Sequence, residues 1–492
     1  MVWQANHRYK QVLQQTVKNL CEGCHVKLET PNYGPEIGTA LVTAIAKRTK
    51  DNRKKIKKFL EELKLPFEIL QEIQARLRQE MERGLVKDTH KNAILKMFPT
   101  YICQKPEKEE GEYIVLEFGD QDINIMYVNL GEEHCLKRTY KLPDTIKKGK
   151  GEQLFDHIAE CLLDFQETEN LSGKKVVSFI FSFPCEQTDL KMAKLTQWTK
   201  GIEASDCVGQ NVVDLLQQAI NKKEDLSLDV IALANDTTGT MMSCCSHDPS
   251  CEIGMIAGEG TNACYMENRD NIETVKGNEG QMCVNMEWGA FGDNGSLDDI
   301  FTPYDSEVDR LSINPGKQRY EKMIGGMYLG EIVRQALISI NKEVPFNQDK
   351  QSNILQNENL LSLEDLCDIE TDELSMAQLN SVLLQRGLCC TSDGALLVKE
   401  VCRAVSQRAA QLCAAGIAAV VEKIHENCQD ERKISVGVTG SLYTEHPHFA
   451  RNLTKTLKNL IPGKEVNFKT SDGHGIGAAL IASVAEKTRK TL

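Results

Sequence analysis

The stretch "ALANDTTGT" at residues 232–240 joins an apolar run to small polar residues. The apolar run predicts a buried strand, and Asn-Asp-Thr after it is typical of the residues that begin a helix. A carboxylate at this junction, Asp236, can also accept a proton from a substrate hydroxyl group. The stretch alone leaves both interpretations open: a capped strand-to-helix turn, or a general base beside Asn235.

Outward from this stretch, the chain alternates strand patterns with helix patterns. Short β-branched and aromatic runs predict strands at 113–120, 176–184, 252–260 and 434–443, and helical spacing covers 151–167, 320–340 and 400–424. This alternation predicts an α/β protein with layered sheets and ligand-binding turns after the strands. The polar segment from Asn347 to Gly394 is predicted to be mostly irregular surface.

Composition narrows the functional classes. The 492 residues suffice for two or three lobes, and the net charge of −13 argues against general nucleic-acid binding. The 18 cysteines in so long a chain favour a reduced, cytoplasmic protein. The lone C-x-x-C at Cys21–Cys24 has no second ligand pair nearby, so we interpret it as structural and expect no metal site. We also expect no membrane span and no nucleic-acid partner.

The two ends of the chain resemble each other. Residues 36–49 read "EIGTALVTAIAKRT" and residues 475–488 read "GIGAALIASVAEKT". A sequence match between two distant segments, seen once, indicates two large tandem units. The chain would then carry the tail of the first unit, followed by the second unit. A basic run at 47–60 follows the first copy and is predicted to be a solvated helix.

Four further motifs are weak when taken singly. "MIAGEGTNACYME" (255–267) is a glycine-rich turn suited to phosphate, "NMEWGAFGDNGSL" (285–297) offers Glu287 as a polyol contact, and "FSFPCEQTDL" (181–190) and "QWTKG" (197–201) add polar side chains. Each could equally be an ordinary turn or surface segment.

Taken in order, these motifs together with "NPGKQRYEKMIGGMYLGE" (314–331) resemble the hexokinase family. The similarity covers nearly the whole chain and is greatest to the C-terminal half of tandem vertebrate-type hexokinases, preceded by the tail of the N-terminal half. It implies a two-lobed actin/hexokinase-type (ribonuclease H-like) ATPase fold. The implied domains are a remnant of a preceding half at 1–50, a linking helix and the start of the large lobe at 51–98, a small lobe at 99–235 with 471–492, and a large lobe at 236–470.

The resemblance also implies a sugar site in which every position keeps the family's residue type. Asp236 would be the general base for the sugar 6-hydroxyl, and Lys200 would touch both the sugar and the transferred phosphate. The implied sugar-binding residues are Ser182, Thr199, Lys200, Asn235, Asp236, Asn262, Glu287 and Glu321.

The implied nucleotide site departs from the family pattern. The first phosphate loop, usually Asp-Leu-Gly-Gly-Thr-Asn-Phe-Arg, reads "EFGDQDIN" here, and the usual Gly-Thr-Gly of the second loop has Glu259 in place of Thr. The implied nucleotide positions are Gly119, Asp120, Gln121, Asp122, Asn124, Gly258, Glu259, Gly260, Gly440 and Ser441. Three of the replacements bring carboxylates towards a polyanion, and Asn124 removes a cation, which predicts weak Mg–ATP binding.

Two functional hypotheses follow from the resemblance. The first is ATP-dependent phosphorylation of glucose or another hexose at the 6-hydroxyl, the entry to glycolysis, with low turnover. The second is a non-catalytic glucose-binding regulatory or sensor module. Both need the sugar site, so the sugar motifs do not separate them.

Overall fold

A computed structural model describes residues 11–12, 15–16, 35–119, 122–132, 134–198, 201–277, 279–346, 353–371, 375–428, 432–470 and 474–491. The chain divides into two units, Met1–Phe59 and Leu60–Leu492. The first unit holds most of helix α1 (Pro35–Glu61), where Leu41 and Val42 are 59% and 66% exposed. The cysteines at 21 and 24 lie outside the described residues.

Strands and helices alternate through the second unit, as the sequence pattern predicts. The strands are β1 (Phe98–Pro99), β2 (Glu112–Phe118), β3 (Asp122–Asn129), β4 (His134–Lys141), β5 (Lys175–Phe181), β6 (Cys185–Asp189), β7 (Met192–Leu195), β8 (Leu228–Ala234), β9 (Cys251–Ala257), β10 (Thr261–Asn268), β11 (Gln281–Asn285), β12 (Ile434–Thr439) and β13 (Val466–Thr470). The helices are α2 (Phe67–Leu85), α3 (Lys87–His90), α4 (Asp144–Lys147), α5 (Gly151–Thr168), α6 (Val212–Asn221), α7 (Asp236–His247), α8 (Pro303–Leu311), α9 (Arg319–Ile324), α10 (Gly326–Glu343), α11 (Leu363–Glu370), α12 (Met376–Gln385), α13 (Ser392–Cys428), α14 (Ser441–Thr444), α15 (Phe449–Leu460) and α16 (His474–Thr491).

One sheet has five strands in the order β4–β3–β2–β5–β8. Strands β2, β5 and β8 are parallel, so their carboxyl ends lie at the same edge. One face packs against α5 and α6, and Ala478, Ala479 and Ala482 of α16 cover the other face. This edge carries Gly119, Ser182 and Asn235, the residues that follow the three parallel strands.

The second sheet has six strands in the order β1–β11–β10–β9–β12–β13. Strands β9 and β12 are parallel, so the turns at Gly258 and Gly440 also lie at one edge. Helix α7 packs between this sheet and α16, where a Cβ on Gly477 would overlap the carbonyl oxygen of Gly239. The two helices therefore need glycine to approach this closely.

Two sequence predictions about secondary structure were wrong. Within the described part of Asn347–Gly394, helices α11 and α12 bury Leu366 and Leu383 completely, so this segment contributes to the core and is not only surface. The helix predicted over 320–340 breaks at Gly325, whose ψ of 134° ends α9 before α10 begins. The polarity of the first segment and the helical spacing of the second did not predict these features, because tertiary contacts can override the secondary-structure preference of a local sequence.

The expectation that no segment could span a membrane was too strict. Among the described residues, α13 is long and apolar enough by length and composition, with a mean hydropathy of 1.3 over an 18-residue window. However, 83% of that window is buried inside the protein, where α13 packs against α2, α10 and α15. These contacts are those of a core helix, which needs the same apolar composition.

Candidate functional site

Asp236 begins helix α7 directly after strand β8. The side-chain oxygen of Asn235 accepts a hydrogen bond from the Thr237 N–H at 3.0 Å, and Asp236 Oδ1 accepts from the same group at 2.8 Å. Both side chains are half-buried. The cap and the candidate base are therefore adjacent: Asn235 caps the start of the helix, and the same turn holds the Asp236 carboxylate at the positive helix terminus.

Glu287 belongs to a closed hydrogen-bond network with two asparagines. Asn285 Nδ2 donates to Glu287 Oε1 at 2.7 Å, and Asn262 Nδ2 donates to the same oxygen at 3.2 Å. Asn262 Nδ2 also donates to Asn285 Oδ1 at 2.9 Å. The structure thus brings together two predicted sugar contacts from β10 and from the residues after β11.

Glu321 lies on the first turn of α9 and meets the β9–β10 turn. The Thr261 N–H donates to Glu321 Oε2 at 3.1 Å. A Cβ on Gly260 would stand 2.7 Å from the same oxygen, so only glycine leaves room for the carboxylate. A predicted sugar residue and a predicted phosphate turn are therefore in direct contact.

Ser182 joins the sugar positions to the first phosphate loop. Its N–H donates to the Phe118 carbonyl oxygen at 3.2 Å, and a Cβ on Gly119 would lie 2.7 Å from Ser182 Oγ. Cys185 in the same segment has a raised pKa because of burial and, secondarily, because of the Glu287 carboxylate. The Ser182 segment thus lies within electrostatic reach of Glu287. Thr199 and Lys200 lie outside the described residues.

The second phosphate turn contacts the turn at Gly440, another predicted nucleotide position. A Cβ on Gly258 would lie 3.2 Å from the Gly440 Cα, and Gly440 has a φ of +114°, which favours glycine. Ser441 then begins the short helix α14. The two glycines therefore allow the two turns to pack directly against each other. Glu259, between Gly258 and Gly260, is exposed.

The described positions of the first phosphate loop continue into the five-stranded sheet. Asp122 and Asn124 lie in strand β3, where Lys141 Nζ binds Asp122 Oδ2 at 2.8 Å across the register. Asn124 Nδ2 donates to Glu117 Oε2 at 3.3 Å and its Oδ1 accepts from Thr139 at 2.7 Å. A neighbouring cation therefore offsets the Asp122 charge. Asp120 and Gln121 lie outside the described residues.

A hydroxyl pair connects helix α7, which begins at the candidate base, with the turn at Gly440. Thr240, one turn after Asp236 on α7, has its Oγ1 3.1 Å from Thr439 Oγ1 at the end of β12. Gly440 follows Thr439 directly. This pair therefore links the helix of the candidate base to a predicted nucleotide position.

Sequence reasoning missed Asn285 and Thr261, which bind the predicted carboxylates. Asn285 is a buried amide that ends strand β11 after Met282, Cys283 and Val284, two positions before Glu287. A polar residue in such a strand was the available signal, because a buried amide requires partners.

Together, the described site collects carboxylates and amides that accept hydrogen bonds, beside glycine turns. Two sequence profiles described as Hexokinase match residues 55–246 and 252–484. The chain belongs to the hexokinase family.

The chain is 46% identical to human Hexokinase-2 and 45% identical to human Hexokinase-1, each over 99% of this chain and 54% of the relative. It therefore spans about half the length of these curated relatives. A Schistosoma mansoni hexokinase complexed with glucose is 35% identical, with a TM-score of 0.82, covering 88% of this chain and 99% of that one. A second hexokinase crystal structure is 27% identical with a TM-score of 0.76 over the same shares. These matches confirm the predicted resemblance and the fold class.

Proposed function

We propose that this chain binds glucose or a related hexose and phosphorylates its 6-hydroxyl from Mg–ATP, the entry reaction of glycolysis, with low turnover. The observation that carries the proposal is the joint placement of the Asn262–Asn285–Glu287 network, Glu321 and Asp236. Acceptor-rich side chains held in place by N–H donors suit a ligand with many hydroxyl donors. The glucose-bound Schistosoma mansoni hexokinase supports glucose as that ligand.

Asp236 acts as the base in this proposal. It accepts the 6-hydroxyl proton, so that the oxygen can bond to the terminal phosphorus while the bond to the ADP oxygen breaks. Asn235, Asn262, Glu287 and Glu321 hold the remaining hydroxyls, since a buried polar group left unpaired costs about 1–3 kcal/mol. Ser182, Thr199 and Lys200 complete the sugar contacts by resemblance.

The glycine turns fit a nucleotide phosphate only in part. Gly258 and Gly440 belong to the glycine turns that a phosphate site would use, and a Cβ at either position would meet backbone of the other turn. Mg–ATP supplies the phosphoryl group in this family. Glu259 argues against nucleotide binding, because its carboxylate would repel the phosphates. Two unit charges at ~4 Å repel by about 4 kcal/mol at an effective dielectric constant near 20. That is comparable to the whole binding free energy of a millimolar ligand, about −4 kcal/mol.

The structure reduces the repulsion that the sequence alone suggests. Lys141 Nζ lies 2.8 Å from Asp122 Oδ2, and this largely exposed lysine offsets part of the Asp122 charge. The proposed low turnover then rests on three other replacements: the carboxylates of Glu259 and Asp120, and Asn124 in place of the family's arginine. The same replacements favour the second candidate, a non-catalytic glucose-binding regulatory or sensor module.

The predicted lobes and location remain proposals. We propose the boundaries given above for the two lobes and the linking segment. We also propose a cytoplasmic location, which is supported by the free thiol state of the 16 cysteines that the structure describes.

A coupled assay of glucose 6-phosphate formation, with the purified chain and excess Mg–ATP, tests the proposal. We expect a slow rate that Asp236→Ala removes and that Asp225→Ala, at an exposed aspartate, leaves unchanged. A rate that survives Asp236→Ala would contradict the assigned base. No rate, combined with glucose-dependent stabilisation, would favour the non-catalytic module.

A further inference from the structure

Asn285 is a buried polar side chain that the family resemblance did not assign. It ends strand β11, paired with Phe98 on one side and Cys264 on the other, and is 7% exposed. Its neighbours along the strand are apolar, so sheet packing alone gives no reason for an amide here. The reason must lie in what the amide binds.

The amide binds two sugar-contact side chains at once. Its Nδ2 donates to Glu287 Oε1 at 2.7 Å, and its Oδ1 accepts from Asn262 Nδ2 at 2.9 Å. The first is a hydrogen bond to a carboxylate, which is the stronger type. Asn285 therefore fixes the carboxylate of one residue and the amide of the other with a single side chain.

These hydrogen bonds also determine the orientation of the Asn262 amide. Both N–H groups of Asn262 are directed at Asn285 and Glu287, and its carbonyl oxygen accepts from the Ala263 N–H at 2.8 Å while keeping a second lone pair. The orientation of the Asn262 amide is thus fixed by these three hydrogen bonds. An amide free to rotate would offer either end.

We infer that Asn285 is a positioning residue for hexose recognition, acting through Asn262 and Glu287. The inference rests on the proposed function, since it assigns a supporting role at the same sugar site. It predicts that the loss of Asn285 weakens glucose binding beyond any effect on the stability of the ligand-free protein.

The test is glucose affinity, measured by calorimetry on the full chain. We expect Asn285→Ala to raise the Kd for glucose about tenfold or more, because a hydrogen bond to a charged partner is lost. Asn285→Asp preserves size but places an acceptor oxygen against Glu287, so we expect at least the same loss. Asn268→Ala, at the opposite end of the β10–β11 pair, is the matched control and should bind as wild type does.

A double-variant cycle separates positioning from general destabilisation. If Asn285 acts through Asn262, then Asn285→Ala should raise the Kd less in an Asn262→Ala background than in wild type, because the shared bond is already absent. Additive effects would overturn the inference. So would a wild-type Kd in both Asn285→Ala and Asn285→Asp while the wild-type chain binds glucose. A wild-type chain that binds no glucose would overturn the proposed sugar site together with this inference.

Discussion

Among the single residues of the candidate site, Glu287 has an unusual backbone conformation. Its φ of 54° and ψ of 48° lie in the left-handed region, which costs a residue other than glycine about 1–3 kcal/mol. Such strain persists only where surrounding contacts impose it. The donors Asn262 and Asn285 hold the side chain, and Trp288 behind it is fully buried, with its Nε1 donating to Thr261 Oγ1 at 3.2 Å.

We expect glucose to raise the melting temperature of the wild-type chain in a saturable way, because a ligand that binds only the folded state stabilises it by about 2.7 kcal/mol at 100 times its Kd. Glu287→Ala should remove most of this shift, since the hydroxyl acceptor is lost. Differential scanning fluorimetry measures both. Glu279→Ala, an exposed glutamate, should keep the shift. An unchanged melting temperature of the wild-type chain at tens of millimolar glucose would rule out the sugar site.

At the scale of elements, helix α7 is fixed at both ends. Asp236 lies at its start, and Asp248 follows its last turn. The Asp248 carboxylate accepts from Ser250 Oγ at 2.6 Å and from Ser435 Oγ of β12 at 2.7 Å. The Ser250 hydroxyl, followed by Ser435 and Lys469, lowers the pKa of Asp248 to about 2, against an opposing effect of burial. This anchor joins the helix to the second sheet.

The pH dependence of this anchor follows from the sign of the shift. The folded pKa lies below the ordinary value of about 3.9, so the stabilisation is present above that pH and is lost as the pH falls towards 2. We expect Asp248→Asn to lower the free energy of unfolding at neutral pH. The difference from wild type should shrink between about pH 4 and pH 2 in urea titrations. Asp225→Asn should show no such pH-dependent difference, and a constant gap for Asp248→Asn would contradict the assignment.

The joint between α9 and α10, at Gly325 and Gly326, is a second close contact between elements. A Cβ on Gly325 would lie 2.5 Å from the Glu259 carbonyl oxygen and 3.2 Å from the Glu321 carbonyl oxygen. The Gly326 N–H donates to the Gly258 carbonyl oxygen at 2.8 Å. The joint therefore sets the distance between the second phosphate turn and the helix that carries Glu321.

We expect Gly325→Ala to reduce glucose affinity and to destabilise the protein by about 1–3 kcal/mol, the usual cost of overpacking. Denaturant unfolding and calorimetry measure the two effects. Gly131→Ala is the control, because a Cβ there has ordinary room, with Asn129 Oδ1 at 3.6 Å. Unchanged glucose affinity in Gly325→Ala would show that the joint does not position Glu321.

At the scale of the whole molecule, each of the two sheets carries both sugar positions and phosphate turns at its strand ends. Contacts between Ser182 and Gly119, and between Glu321 and Gly260, join the two sets of residues. The sugar network of Asn262, Asn285 and Glu287 is formed without any of the replaced phosphate-turn residues. Glucose affinity and turnover can therefore be measured separately to distinguish the two functional candidates.

We expect a variant with restored phosphate turns to phosphorylate glucose at least about 100-fold faster than wild type, with little change in glucose affinity, because lost transition-state contacts lower kcat more than they alter ground-state sugar binding. The coupled assay measures the rate and calorimetry measures the affinity. The five substitutions are Asp120→Gly, Gln121→Thr, Asp122→Asn, Asn124→Arg and Glu259→Thr.

The control for the restored variant adds Asp236→Ala, which should remove the regained rate because the 6-hydroxyl loses its base. Restored turns that still give no activity while glucose binds would contradict a defect confined to these turns. The non-catalytic module would then describe the chain better.

The family and the fold class could be predicted from the amino-acid sequence, and the candidate site residues were inferred from the same motifs. Asn-Asp-Thr after an apolar run, and glycine turns after strands, are local signals because caps and tight turns depend on neighbouring residues. Strand β5 and helix α5 were predictable for the same reason: their apolar periodicity is a property of the chain itself.

Only the tertiary structure decided which side chains act together. The pairing of Asp122 with Lys141 depends on the β3–β4 register, and the role of Asn285 depends on Asn262 from another strand. The buried helix α11 and the break at Gly325 likewise follow from contacts with distant segments. These contacts are set by packing between residues far apart in the chain, and no local pattern of polarity or propensity encodes the partner.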